Sequence, residues 1–174
     1  MLYTRKGDDG TSGLFGTRER FAKDSPVYEA LGTLDELNSL LGICRAKSAD
    51  GGFGVLAEEI RKAQEALFVI QAEIAGAEKT IRQERIAALE SAVDIIERFV
   101  GNPHSFIVPG ATELSGFLDY ARAVSRRAER AVTAASRIRP VSSESHAFMN
   151  RLSSLLYALA RYAASGVVEN VPAY

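Results

Sequence analysis

Apolar residues recur at helical spacing in five separate stretches of the chain, each marking a helix with one buried face. The first holds Val27, Leu31, Leu34, Leu37, Leu41 and Cys44, and the second Leu56, Ile60, Ala63, Leu67, Ile70 and Ile74. The third holds Ile86, Leu89, Val93, Ile96 and Val100, and the fourth Leu114, Leu118, Ala121, Ala128 and Val132. The fifth runs through Phe148, Leu152, Leu155, Leu159 and Tyr162. Each stripe is broad enough for a bundle core, so the pattern predicts an all-α fold, a five-helix bundle.

The breaks carry helix punctuation. Ser25-Pro26 reads as an N-cap followed by proline at the first helical position. The glycines around Phe53 separate helices one and two, Gly101-Asn102-Pro103 ends helix three, and Arg139-Pro140 is expected to stop helix four. Residues 105–110 (SFIVPG) read as an extended connector. Residues 1–24 are too rich in glycine and charge for a helix, so one domain over 1–174 is expected, with an arm over 1–24 and a bundle over 25–174.

Composition narrows the function. The chain has 174 residues, 47% of them hydrophobic and 25% charged, the balance of a globular domain rather than a disordered one. A net charge of −1 gives no field to draw the molecule to nucleic acid or anionic lipid. No stretch reaches the roughly 20 apolar residues of a membrane span. Residues 1–16 have no apolar run of the signal-peptide kind, so a cytoplasmic location is expected. A single cysteine, Cys44, excludes an internal disulfide and a cysteine-based zinc site.

Three groups of residues exceed what a bundle needs. The first is YTRKGDDGTSG, residues 3–13, with Lys23 beyond it. Glycine lets backbone N–H groups approach a phosphate, and the hydroxyls, Arg5, Lys6 and Lys23 supply donors and positive charge. No Gly-Lys-Ser/Thr follows at Walker spacing, and Asp8-Asp9-Gly10 lacks the EF-hand alternation. Taken alone, the segment fits a mobile polar tail better than a site.

The second group is YARAVSRRAER on helix four. At about 100° per residue, Arg122, Arg126 and Glu129 form one stripe beside the core, and Arg127 and Arg130 point further out. A solvated face with ion pairs is one reading. Four arginines without a lysine suit planar recognition of phosphate or carboxylate, which is the other. Spacing leaves both open.

The third group lies on helix five, where Asn150, Ser154, Tyr157 and Arg161 share a face away from the apolar stripe. Asp35 of helix one also lies off its stripe, free to meet an arginine of a neighbour. Cys44 sits in an apolar stripe and His104 and His146 form no triad, so a reactive group is expected from a bound cofactor or substrate.

Together the strings YTRKGDDGTSG, EALGTLDELNSLLG (29–42), FIVPG, ARAVSRRAER (121–130) and NRLSSLLYALARYA (150–163) resemble the PduO-type ATP:cob(I)alamin adenosyltransferases. The resemblance implies a homotrimer of five-helix subunits with ATP between neighbours. Thr4, Arg5, Lys6, Gly7, Ser12, Gly13 and Lys23 would wrap the triphosphate, and Arg126, Arg127, Glu129, Arg130 and Asn150 would complete the nucleotide site. Asp35 would pair with Arg122 across the subunit boundary, and Phe106 would sit on the corrin side. Cob(I)alamin would attack C5′ of ATP and release triphosphate, with Mg²⁺ and arginines stabilising the leaving group, so Arg126, Arg122 and Asp35 are the expected catalytic set. A reductase and an adenosylcobalamin-dependent enzyme are the implied partners.

The chain departs from the family pattern at Ser154, where aspartate is usual, at Ala111, where PGG is usual, and at Asp119, where histidine is common. Its end at Tyr174 implies a reduced corrin cap. A non-catalytic ATP-binding or corrinoid-delivery protein on the same scaffold is the alternative function, and a purely structural bundle is a third.

Overall fold

In the computed structural model, residues 3, 5–14 and 18–172 are described. Two short strands, β1 (Thr11–Gly13) and β2 (Arg20–Ala22), precede five helices: α1 (Pro26–Asp50), α2 (Gly54–Ile74), α3 (Gln83–Val100), α4 (Glu113–Ala135) and α5 (Ser143–Ala163). All five apolar stripes face the interior. Of their residues only Leu31, Val93, Val100 and Tyr162 are less than fully buried.

Helix α1 packs between α2 and α4, α4 packs on α5, and α5 carries α3 on its other side and touches α2. This central place requires α5 to be apolar over more than one stripe, and Met149, Leu156 and Ala160 are buried beside Leu152 and Leu155. Truncating a leucine here, such as Leu152→Ala, removes packing worth roughly 2–5 kcal/mol.

The helix ends explain the bundle's closure. Thr112 and Ser115 form a reciprocal capping box at the start of α4, and the Thr112 hydroxyl donates to the Ala163 carbonyl at the end of α5. At the start of α5, Glu73 of α2 accepts from Ser142 N at 2.7 Å and from the Ser145 hydroxyl at 2.5 Å. Gly101 ends α3 at φ 75°, a left-handed conformation that glycine adopts without penalty.

Three local expectations are revised. The segment before α1 contains an antiparallel ribbon, Thr11 opposite Ala22 and Gly13 opposite Arg20. Helix α4 ends at Ala135, before Arg139-Pro140, because Ile138 N and Arg139 N turn back to the Ala135 carbonyl. Ser25 holds the N-cap position of α1, but its hydroxyl is buried without a hydrogen bond.

Candidate functional site

Helix α4 runs antiparallel to α1 and α5, and its length orders the site. Lys47 pairs with Glu113 at the first turn of α4, Arg127 with Glu36 near its middle, and Arg139 with Glu19 beyond its end. The β1–β2 ribbon therefore lies beside the C-terminal end of α4, and the 101–110 connector leads into its N-terminal end.

At the ribbon end the chain is folded by its own polar groups. Asp9 accepts from the backbone N–H and the hydroxyl of Thr11, which hold its carboxyl below the usual carboxylate range. Arg20 donates to the Thr11 hydroxyl at 2.8 Å and to the Lys6 carbonyl at 2.5 Å. Lys23 donates to the Gly7 carbonyl at 2.7 Å. A β-carbon on Gly7 would lie 3.0 Å from Lys23 Nζ and 3.2 Å from the Thr11 carbonyl, so the close approach favours glycine. Arg5 stands over the Tyr3 ring at 5.4 Å with φ 59°.

The loop thus brings Arg5, Lys6, Gly7, Ser12, Gly13 and Lys23 into one folded unit; Thr4 lies outside the described residues. Two features not anticipated from the sequence tie that unit to the bundle. Leu14 is buried in the core, and Arg139 reaches Glu19 at 2.8 Å.

In the middle of α4, Arg126 and Arg130 are exposed and have no ion-pair partner among the described residues. Arg127 instead pairs with Glu36 of α1, and that hydrogen bond raises its pKa further. Glu129 is half-buried, and Asp35 is exposed beside Glu36 on α1. Asn150 is exposed on α5, roughly three turns before Arg161. Since Arg161 contacts Asp119, the antiparallel packing brings Asn150 level with the 126–130 segment of α4.

One turn before Arg126, a cavity of about 380 Å³ lies between α3, the 101–103 turn, α4 and α5. Arg122, Ser154, Tyr157 and Arg161 line it. Phe106 is 77% exposed in the connector, and Val108 N donates to the Asn170 carbonyl at 2.8 Å.

Within the chain, Arg122 approaches Asp119 and not Asp35. Arg161, read from the sequence as part of an uncommitted face of helix five, is 5% exposed and pairs with Asp119 and Glu169. The one local signal for this cluster is an acid three residues before Arg122. Asn150 and Ser154 on the same face are exposed.

Among the described residues no three metal-ligating side chains gather into a site. No helix is long and apolar enough to cross a membrane.

A glycine-rich cationic loop, mid-helix arginines without an ion-pair partner among the described residues, and a cavity between helices thus stand on one five-helix bundle. The chain belongs to the cobalamin adenosyltransferase family, whose model matches residues 2–163. It is 42% identical over 167 residues to corrinoid adenosyltransferase PduO of Salmonella typhimurium, covering 92% of this chain and 48% of that protein. The chain thus spans about half the length of that relative and of its Citrobacter freundii counterpart, at 49%. A second Citrobacter freundii corrinoid adenosyltransferase is 38% identical, with 92% of this chain and 93% of that one covered. A PduO-type ATP:corrinoid adenosyltransferase variant from Lactobacillus reuteri, solved with cobalamin and ATP, superposes with a TM-score of 0.91 at 29% identity, covering 99% of both chains.

Proposed function

We propose that this chain transfers the 5′-deoxyadenosyl group of ATP to the cobalt of cob(I)alamin, yielding adenosylcobalamin and triphosphate. The observation that carries the reading is the order of groups along α4. Arg126 and Arg130 lie exposed between the Lys23–Gly7 loop at one end and the cavity and Phe106 connector at the other. The reading is supported by relatives named corrinoid adenosyltransferases and by the similar structure that holds both ATP and cobalamin.

In this account the chain acts as one domain. Residues Thr4, Arg5, Lys6, Gly7, Ser12, Gly13 and Lys23 of the arm over 1–24 hold the triphosphate. Arg126 and Arg130 reach it as charge-assisted donors, Arg127 joins from the position Glu36 fixes, and Glu129 and Asn150 complete the nucleotide side. Phe106 faces the corrinoid. Cobalt(I) is the nucleophile, the Co–C5′ bond forms as the C5′–O bond breaks, and the electron pair leaves on triphosphate. No protein nucleophile is required, so the chain's contribution is alignment, exclusion of water and stabilisation of the departing charge.

Mg²⁺ fits as an ion carried by the triphosphate, since the described residues build no all-protein cage and magnesium keeps oxygen ligands from phosphate and water. When bound it neutralises phosphate charge.

A homotrimer completes the site by pairing Asp35 with Arg122 of a neighbour. Asp35 is exposed and Ile43 and Tyr120 are 46% and 55% exposed on the α1 and α4 surfaces, which fits a covered face. Sedimentation at micromolar concentration should give a trimer, and a monomer with and without ATP would contradict the shared site. The cytoplasm is the compartment proposed, with a corrinoid reductase upstream and an adenosylcobalamin-dependent enzyme downstream.

Incubation with ATP, Mg²⁺ and chemically reduced cobalamin tests the reading. The visible spectrum should convert to that of adenosylcobalamin, whereas ATP binding without conversion would leave a delivery protein.

A further inference from the structure

A buried guanidinium needs counter-charge and acceptors, because taking it out of water is otherwise costly. Arg161 receives two carboxylates: Asp119 Oδ2 lies 2.5 Å from Nη2 and Glu169 Oε1 lies 2.7 Å from Nη1. Its guanidinium also stands over the Tyr157 ring at 5.0 Å. The other oxygen of Asp119 faces Arg122 Nε at 3.9 Å. One carboxylate, 6% exposed, therefore stands between two guanidinium groups, and both of those line the 380 Å³ cavity. The charges balance, with two arginines against Asp119 and Glu169.

The hydrogen bonding, by contrast, is incomplete. Arg161 Nη1 and Glu169 Oε1 face each other as an ion pair, but two buried donors of the cluster, Arg122 Nε and Arg161 Nε, have no hydrogen bond among the described residues. A cluster serving stability alone would spend these groups, since an unmet buried donor is a net cost. Both unmet donors belong to arginines that line the cavity, where a ligand could supply the missing acceptor.

We propose that Asp119 is a positioning residue for the adenosyl transfer. Its carboxylate holds Arg122 in the cavity wall by charge, while Arg161 and Glu169 hold Asp119 in place. The inference rests on the function proposed above, because it assigns the clamp to the corrinoid side of that reaction. The ribbon lies beyond the C-terminal end of α4 and the cavity on the far side of Arg126 from it, so the clamp is assigned to the cavity's ligand rather than to the loop that holds the triphosphate.

The test replaces charge while keeping shape. Asp119→Asn should lower kcat/KM for cobalamin at least ~10-fold and leave KM for ATP within about twofold. Asp119→Glu should restore most of the loss. The independent readout is the Arg122 Nε–H resonance, whose chemical shift should move in Asp119→Asn as the side chain loses the carboxylate that faces it. Should Asp119→Asn fail to fold, Glu169→Gln decides the matter. That variant removes the charge that balances Arg161, and it should lower cobalamin kcat/KM about threefold and move the same resonance. Glu90→Gln, which cuts the exposed Arg151 pair between α3 and α5, should change neither readout.

Parent-like cobalamin kinetics or a parent-like Arg122 resonance, in Asp119→Asn or failing that in Glu169→Gln, would overturn the proposal. A parent that makes no adenosylcobalamin would instead sink the functional reading, while the resonance would still report whether Asp119 holds Arg122.

Discussion

The ammonium group of Lys23 donates to the carbonyl oxygen of Gly7 at 2.7 Å, closing the loop that carries Arg5, Lys6 and the Asp9–Thr11 turn. The contact leaves little room for a side chain at position 7. Gly7→Ala would place a methyl group 3.0 Å from Lys23 Nζ and 3.2 Å from the Thr11 carbonyl, displacing both from their present places. If the loop holds the triphosphate, the variant raises KM for ATP about 10-fold with little change in melting temperature. ATP titration of steady-state activity, with thermal unfolding alongside, checks this. An unchanged KM would remove the loop from the nucleotide site.

Much of this architecture is legible in the chain because helices announce themselves by period. All five stripes were readable, as was the glycine stop at Gly101. The β1–β2 ribbon was not, because strands of three residues are too short to show alternation. The fate of Arg161 was equally hidden. Its spacing sets it off the core stripe of α5, and only tertiary packing brings Asp119 and Glu169 to bury it. The arginines of α4 were recognisable as a group, yet spacing could not separate Arg127, committed to Glu36, from Arg126, which has no ion pair among the described residues.

That difference makes Arg126 the clean site for substitution, since replacing it strands no carboxylate. A bidentate contact that strengthens as triphosphate departs contributes more to the transition state than to binding. Arg126→Lys keeps the charge and loses the planar fork, so kcat should fall at least ~10-fold, about 1.4 kcal/mol. Arg137→Lys, exposed beyond the end of α4, should change little. Steady-state adenosylation by both variants decides it. A full kcat with only a raised KM for ATP would make Arg126 a uniform binder.

Cys44 offers a test of the core that is independent of function. Burial pushes its thiol up from 9.0 to about 11. The unfolded thiol therefore releases its proton first, and the contribution to stability is complete below pH 9.0 and lost as pH rises to about 11. Urea unfolding across that window should show a steeper loss of stability for the parent than for Cys44→Ala. At pH 8 a thiol reagent should modify the native protein only as fast as it unfolds. Rapid labelling of the folded protein would contradict the buried placement.

The central claim concerns which bond of ATP breaks, so the decisive measurement follows C5′ itself. ATP carrying a radioactive label at C5′ is incubated with the protein, Mg²⁺ and reduced cobalamin, and the products are separated by chromatography. The account predicts that the label moves to the corrinoid in step with unlabelled triphosphate, one of each per turnover. Label retained on nucleotide, or released as nucleoside diphosphate with free phosphate, would show hydrolysis or mere binding and contradict adenosyl transfer.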